Sequence, residues 1–213
     1  EMAMKRSLLT LLAVTVLTHG GTPASIVEAA RKGNLPAVRQ LLEQGSDVNA
    51  LTPDGGTALH WADYHDDAEM ARLLIAKGAN ANAANRYGVR PLSIAATNGG
   101  EALVRLLLEA KSEPETVSGD GETALMTASR SANLGAVKLL IRHGASVNAK
   151  EKWRGQTALM WAAAEGHIAV SQALIESGAE INVRSNSGFT PLLFAVREGR
   201  AEVVKVLLKA GAS

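Results

Sequence analysis

Residues 60–67 read HWADYHDD, which gathers His60, Trp61, Asp63, Tyr64, His65, Asp66 and Asp67 into one short stretch. Imidazoles and carboxylates at this density are the raw material of a divalent-metal site or a general acid–base pair. A metal needs several donors converging on one point. On a single helix His60 and His65 would point roughly 140° apart, so they cannot share an ion. No other stretch offers a catalytic spacing: the chain has no G-x-S-x-G, no H-E-x-x-H and no phosphate-binding glycine loop. It has no cysteine, which removes thiolate zinc sites, cysteine nucleophiles, disulfides and cysteine-linked lipids.

The elements that hold these residues repeat along the chain. GTALHWA at Gly56 returns as VRPLSIA at Val89, ETALMTA at Glu122, QTALMWA at Gln156 and FTPLLFA at Phe189, at intervals of 33, 33, 34 and 33 residues. A degenerate first copy, ASIVEAARKGN, starts at Ala24. After each copy comes a second block, such as GAVKLLIRHGASVN, with apolar residues at the spacing of an amphipathic helix. Gly45, Gly78, Gly144, Gly178 and Gly211 stand where a left-handed residue would end that helix. The threonine of the first block can cap a short helix, with proline or alanine following at its first position. Turn signals (PDGG at 53, GDG at 119, NSG at 186) separate the units.

This pattern resembles the ankyrin repeat, with its T-P-L-H-x-A signature and its period of about 33 residues. Residues 155–182, GQTALMWAAAEGHIAVSQALIESGAEIN, carry the resemblance most fully. It implies an all-α solenoid of stacked helix pairs with short β-hairpin finger loops at right angles. We expect a repeat domain over 22–213, in units 22–54, 55–87, 88–120, 121–154, 155–187 and 188–213, continuing beyond the last residue. A helix pair cannot bury its apolar face alone, so neighbours must cover it. Leu41, Leu74, Leu107, Leu140, Leu174 and Leu207 share one register. Val38, Ala71, Val104, Val137, Ser171 and Val204 share another. In the last unit Val206 and Leu207 would lack part of their cover.

The register reinterprets the opening stretch. His60 becomes the signature histidine, Trp61 a residue packing between helices, and Asp66 and Asp67 occupants of a turn. Asp63, Tyr64 and His65 remain as a polar patch on the groove side. Scaffold therefore accounts for most of HWADYHDD better than metal does. His143 reads as a charge at a helix C-terminus and His167 as a family consensus residue. Arg39, Arg72, Arg105, Lys138 and Lys205 form a basic column, but Glu43, Glu69, Glu101, Glu109 and Glu202 lie beside it, so the face reads as salt-bridged.

The pattern breaks in informative places. Lys111 replaces the helix-ending glycine of the third unit, and SEPE replaces the usual continuation. Ala132 fills the inter-helix glycine slot of the fourth. Side chains there would be strained by about 1 kcal/mol, so the contact between repeats three and four is expected to be the weakest. AKEKWRGQT, residues 149–157, carries the one-residue insertion and lengthens a finger. Trp153 and Arg154 near its tip are of the types found at interface hot spots; the alternative is that Trp153 folds back over the next finger. Tyr87, Val89, Gln156 and Phe189 hold equivalent or adjacent finger positions. With Asp63, Tyr64 and His65 they are the candidate partner-binding residues.

Bulk properties narrow the function. Twenty-two Lys and Arg face 21 Asp and Glu for a net charge of +1, and aromatics make up 3%. Neither charge nor stacking surface points to nucleic acid. Lys5 and Arg6 precede the apolar run Leu8–Leu17, followed by THGGTPAS. That order suits a signal peptide or N-terminal anchor over 1–21, cleaved after Gly20 or Ala24, and an exported, periplasmic or extracellular location. The membrane is a partner only if this leader is retained. The expectation is a non-catalytic module that binds an unidentified protein and uses no cofactor or metal. The alternative is the recognition arm of a larger enzyme or receptor.

Overall fold

The computed structural model describes residues 25–98, 100–115, 118 and 121–213, so the leader lies outside the described residues. Helices come in pairs: α1 Ile26–Arg31 with α2 Leu35–Glu43, α3 Ala58–Tyr64 with α4 Ala68–Ala76, and α5 Pro91–Asn98 with α6 Glu101–Glu109. Then follow α7 Ala124–Arg130 with α8 Leu134–Arg142, α9 Ala158–Glu165 with α10 Ile168–Glu176, and α11 Pro191–Arg197 with α12 Ala201–Lys209. The first helices of the pairs stack in one row and the second helices in another.

Local chemistry sets each boundary. Ser25, Thr57, Thr123, Thr157 and Thr190 accept the N–H of Glu28, His60, Met126, Met160 and Leu193 at the starts of the first helices. Asn34, Asp67 and Asn133 do the same for Ala37, Met70 and Ala136 at the second helices. The second helices end on a left-handed residue. At Gly144, φ is +94° and the next N–H, from Ala145, reaches back to the Leu140 carbonyl at 2.9 Å. Lys111 takes that conformation at φ +64° and Ala132 takes the inter-helix one at φ +59°, as their slots predict.

Helices of 6 to 9 residues do not persist alone, so the stack holds them. Leu74, Leu107, Leu140, Leu174 and Leu207 are fully buried, while Leu41 at the start of the column is half-buried. Leu207 therefore has the cover that the sequence reading denied it, because α10 and its own partner α11 both pack on α12. The open apolar side chains of the last repeat are Leu193, Val196 and Leu208.

The fingers correct one expectation. Among the described residues no β-strand forms; each finger is a turn closed by its own backbone bonds and tied to the next finger at intervals. Thr52, Asn85, Ser118 and Ser185 each donate to a carbonyl four residues on, namely Gly56, Val89, Glu122 and Phe189. The inserted finger closes instead from the Glu151 N–H to the Gln156 carbonyl at 3.0 Å.

Side chains lace the repeats together in two ladders. In the first, Asn49 donates to the Gly78 carbonyl at 3.0 Å and accepts the Asn80 N–H at 2.8 Å. Asn82, Asn148 and Asn182 repeat this with Lys111 and Glu113, Gly178 and Glu180, and Gly211 and Ser213. In the second, the carbonyl at the end of a first helix takes a donor from the next repeat. His65 reaches Arg31, Asn98 reaches Tyr64, His167 reaches Arg130 and Arg200 reaches Ala164. The basic column is salt-bridged where Arg39 meets Glu69, Arg105 meets Glu101 and Lys205 meets Glu202.

Candidate protein-binding groove

The HWADYHDD stretch resolves into separate tasks. His60 is buried; its Nδ1 accepts the Thr57 N–H at 3.2 Å and its Nε2 donates to the Val89 carbonyl at 3.1 Å. Burial lowers its pKa, so the ring is a neutral brace between repeats. Asp66 takes a left-handed turn at φ +53°, and Asp67 caps α4 through the Met70 N–H at 2.9 Å. His65 is committed to the Arg31 carbonyl at 2.8 Å. Among the described residues no three His, Asp or Glu side chains gather where a metal could be held.

Asp63 was expected on the groove surface and is not there. Its exposure is 0%, and neither carboxylate oxygen has a hydrogen-bond partner. It occupies the slot that Ala30, Ala96, Ser129 and Ala163 fill in other repeats, where one first helix packs on the next. Burial, and then the neighbouring Asp66 charge, push its pKa well above the carboxylate range.

Tyr64 and His65 do face outward, in one aromatic cluster with Trp61. Ring centroids lie 5.6 Å apart for Trp61–Tyr64, 5.4 Å for Tyr64–His65 and 6.3 Å for Trp61–His65. Beside this cluster, Asp54, His60, Trp61, Tyr64, Asn85 and Ile94 line a pocket of about 300 Å³. The Asp54 carboxyl is held below its ordinary value by the Thr52 hydroxyl and backbone N–H groups, with a smaller pull from Arg86.

The inserted finger forms a second centre. The buried Glu151 carboxylate accepts the N–H groups of Trp153, Arg154 and Gln156 at 2.6, 2.7 and 3.0 Å. This folds the extra residue into a compact loop and turns the Trp153 side chain outward, where it is 73% exposed. A cleft of about 380 Å³ lies against it, with Trp153, Arg154, Gln156 and Trp161 among its walls. Gln156 was expected at the surface; only 7% of it is exposed, so it contributes a buried wall whose Oε1 lacks a partner.

Tyr87 is exposed at a finger tip with the Arg86 guanidinium 5.9 Å from its ring. Val89 is half-buried, and its carbonyl serves His60. Phe189 is half-buried 5.4 Å from Phe194, beneath Arg197. Of the predicted residues, Tyr64 and His65 belong to one aromatic centre and Trp153, Arg154 and Gln156 to a second, while Tyr87 and Phe189 line neither pocket. Sequence reasoning missed the surface role of Trp61, which its register assigns to packing between helices, and of Trp161, which shares that register. Each is half-buried and lines a pocket. Their common register with Phe194, one turn before the outward residue Tyr64, was the available signal.

Paired helices stacked through threonine caps, with turns aligned along one edge, define a repeat scaffold, a class that offers a long preformed surface. The chain matches the family described as ankyrin repeats (3 copies) over residues 26–118, 102–185 and 154–213. It belongs to the ankyrin-repeat family, whose members generally mediate protein–protein interaction. It is 31% identical over 128 residues to ankyrin repeat domain-containing protein SAT10 of Stachybotrys chartarum, covering 60% of this chain and 7% of that protein. It is 31% identical over 121 residues to the putative ankyrin repeat protein YahD of Escherichia coli, covering 57% and 60%. Against human ankyrin repeat and SOCS box protein 16 the identity is 33% over 143 residues, covering 63% and 32%. The chain thus spans less than two thirds of the length of each of these relatives.

Proposed function

We propose that this chain is a non-catalytic scaffold that binds a partner protein through its finger loops and the adjoining groove. The observation that carries the reading is the outward display of Tyr64, Tyr87 and Trp153, at 61%, 64% and 73% exposure, on elements fixed by the stack. Large exposed rings on rigid supports lose little entropy when a partner covers them. Capture with the full chain, followed by titration of the purified partner, tests the reading. The double variant Tyr87→Ala with Trp153→Ala should bind at least tenfold more weakly, about 1.4 kcal/mol, at an unchanged melting temperature. A chain that retains no protein above a scrambled-sequence control overturns it.

A second reading treats the array as the recognition arm of a larger protein. The small share of the Stachybotrys chartarum and human relatives that the alignments cover supports it. The full reading frame decides between the two. We also propose export through the leader, on the strength of Lys5 and Arg6 preceding Leu8–Leu17. The mass of the mature N-terminus tests it.

A further inference from the structure

We propose that the pocket beside Trp61 seats a lysine or arginine side chain of the protein partner. The inference rests on the protein-binding reading and adds the chemistry of one contact. Its first support is charge. Of the side chains lining the pocket only Asp54 and His60 titrate below neutrality. Asp54 is stabilised as the anion, and His60 is held neutral by burial. The pocket therefore presents one negative charge in a wall shared with the rings of Trp61 and Tyr64, whose mutual geometry is edge-to-face at 76°. A carboxylate and aromatic rings lining one pocket favour a cation.

The second support comes from the repeats themselves. In the same register the chain seats its own guanidinium on an aromatic ring. Arg130, at the end of one first helix, lies 5.1 Å from the Trp161 ring in the next repeat. Arg197 lies 5.0 Å from Phe194. The residue related to Trp61 as Arg130 is to Trp161 is Arg31. Arg31 is turned away: its Nε and Nη2 both donate to the Glu28 carboxylate at 2.8 Å. Lys32 joins the same carboxylate at 3.3 Å, and the Glu28 pKa falls to about 2 through these contacts. Among the described residues no cation covers the Trp61 ring. Arg86, the cation that acts on Asp54, directs Nη2 to the Pro53 carbonyl at 2.6 Å and lies over Tyr87. Trp61 is thus the aromatic site of this register whose cation must come from outside.

The test needs no partner. Nα-acetyl-lysinamide, Nα-acetyl-argininamide and the neutral Nα-acetyl-norleucinamide are titrated into the full chain while the indole N–H resonances of Trp61, Trp153 and Trp161 are followed. We expect the two cationic probes to shift Trp61 saturably, with little effect on Trp161, and the neutral probe to leave Trp61 in place. Asp54→Asn keeps the hydroxyl contact with Thr52 and should weaken the cationic probes about two- to fivefold at an unchanged melting temperature. Norleucinamide shifting Trp61 as strongly as the cations would assign the pocket to an apolar side chain and overturn the proposal. Equal affinity in Asp54→Asn would overturn it too. A chain that captures a protein yet ignores both cations fails only here. One that binds them yet captures nothing fails only the protein-binding reading.

Discussion

Between the fourth and fifth repeats Asn148 holds Gly178 and Glu180, His167 closes the Arg130 carbonyl, and Arg130 lies on Trp161. Between the third and fourth, the residue in the register of Asn148 is Glu115. It accepts the Ser146 N–H but has no donor for the Gly144 carbonyl. Among the described residues no side chain of the fourth repeat caps the Thr97 carbonyl, and Asn133 Nδ2 is buried without a partner. Lys111 and Ala132 add two side chains in left-handed backbone. One fold thus contains a fully laced junction and a partly unlaced one. Burial does not separate them, since Leu107, Leu140 and Leu174 are all fully enclosed. The difference lies in polar lacing and backbone strain, each contributing on the order of 1 kcal/mol per site.

The largest test removes packing from either side of the comparison. Leu107→Ala and Leu174→Ala should each destabilise by about 2–5 kcal/mol. In a solenoid, coupling between neighbours decides whether the array still melts as one unit. Leu107→Ala should split or broaden the transition as the array parts at its weak junction. Leu174→Ala should lower the midpoint of a single transition. Identical, single transitions in both would remove the distinction.

Next in size is Asp63, in a strongly packed junction that carries its own flaw. Asp63→Ala restores the small residue found at Ala30, Ala96 and Ala163 and should stabilise by about 1–3 kcal/mol, the cost of an unsatisfied buried polar group. The pH dependence has a definite sign. The folded-state pKa is raised above the ordinary 3.8. Below that ordinary value both states are protonated and the native protein has its full stability. As pH climbs from there through the folded-state value, the unfolded chain has already released a proton that the folded chain keeps, so stability falls. Denaturant melts from pH 3.5 upward should show this fall in the native sequence and a flatter profile in Asp63→Ala. Parallel profiles would contradict the unpaired state of the carboxyl.

How far the sequence anticipated these features depends on what each one rests on. The threonine caps, the left-handed Lys111, Ala132 and Asp66, and the leucine register follow from local chemistry repeated at a fixed period. They are legible in one chain. Asp63 and Gln156 were misplaced because their residue types suggested surface, whereas the packing of consecutive first helices decides their burial. The alanines aligned with Asp63 held that information. The asparagine ladder was legible as a column, Asn49, Asn82, Asn148 and Asn182, but its partners lie about thirty residues away and only the fold names them. The pocket at Trp61 draws on a finger and two first helices, so no single stretch contains it.

A smaller change relieves strain. Lys111→Gly should stabilise by about 1 kcal/mol, because a glycine takes φ +64° without a steric penalty. The same change at Lys77, whose φ is −93°, should destabilise instead. Chemical denaturation of the two variants separates them by sign, and stabilisation of both would mean that Lys111 is not strained.

The subtlest change completes the ladder. Glu115→Asn would keep an acceptor for Ser146 and gain an amide N–H for the Gly144 carbonyl, the arrangement that Asn148 makes with Gly178 and Glu180. A net hydrogen bond of this kind contributes about 0.5–1.5 kcal/mol, at the limit of what a global melt resolves. Amide exchange is the sharper readout, because it reports local opening. In the native sequence, exchange over residues 108–135 should be faster than over the matching stretch around the fourth and fifth repeats. In Glu115→Asn the two stretches should converge, with Ser146 slowing most, since the new amide pins the loop that carries it. Uniformly slow exchange across 108–135 in the native protein would mean that the missing donor and the strained lysine have no consequence. The two junctions would then be equal in stability despite their unequal lacing.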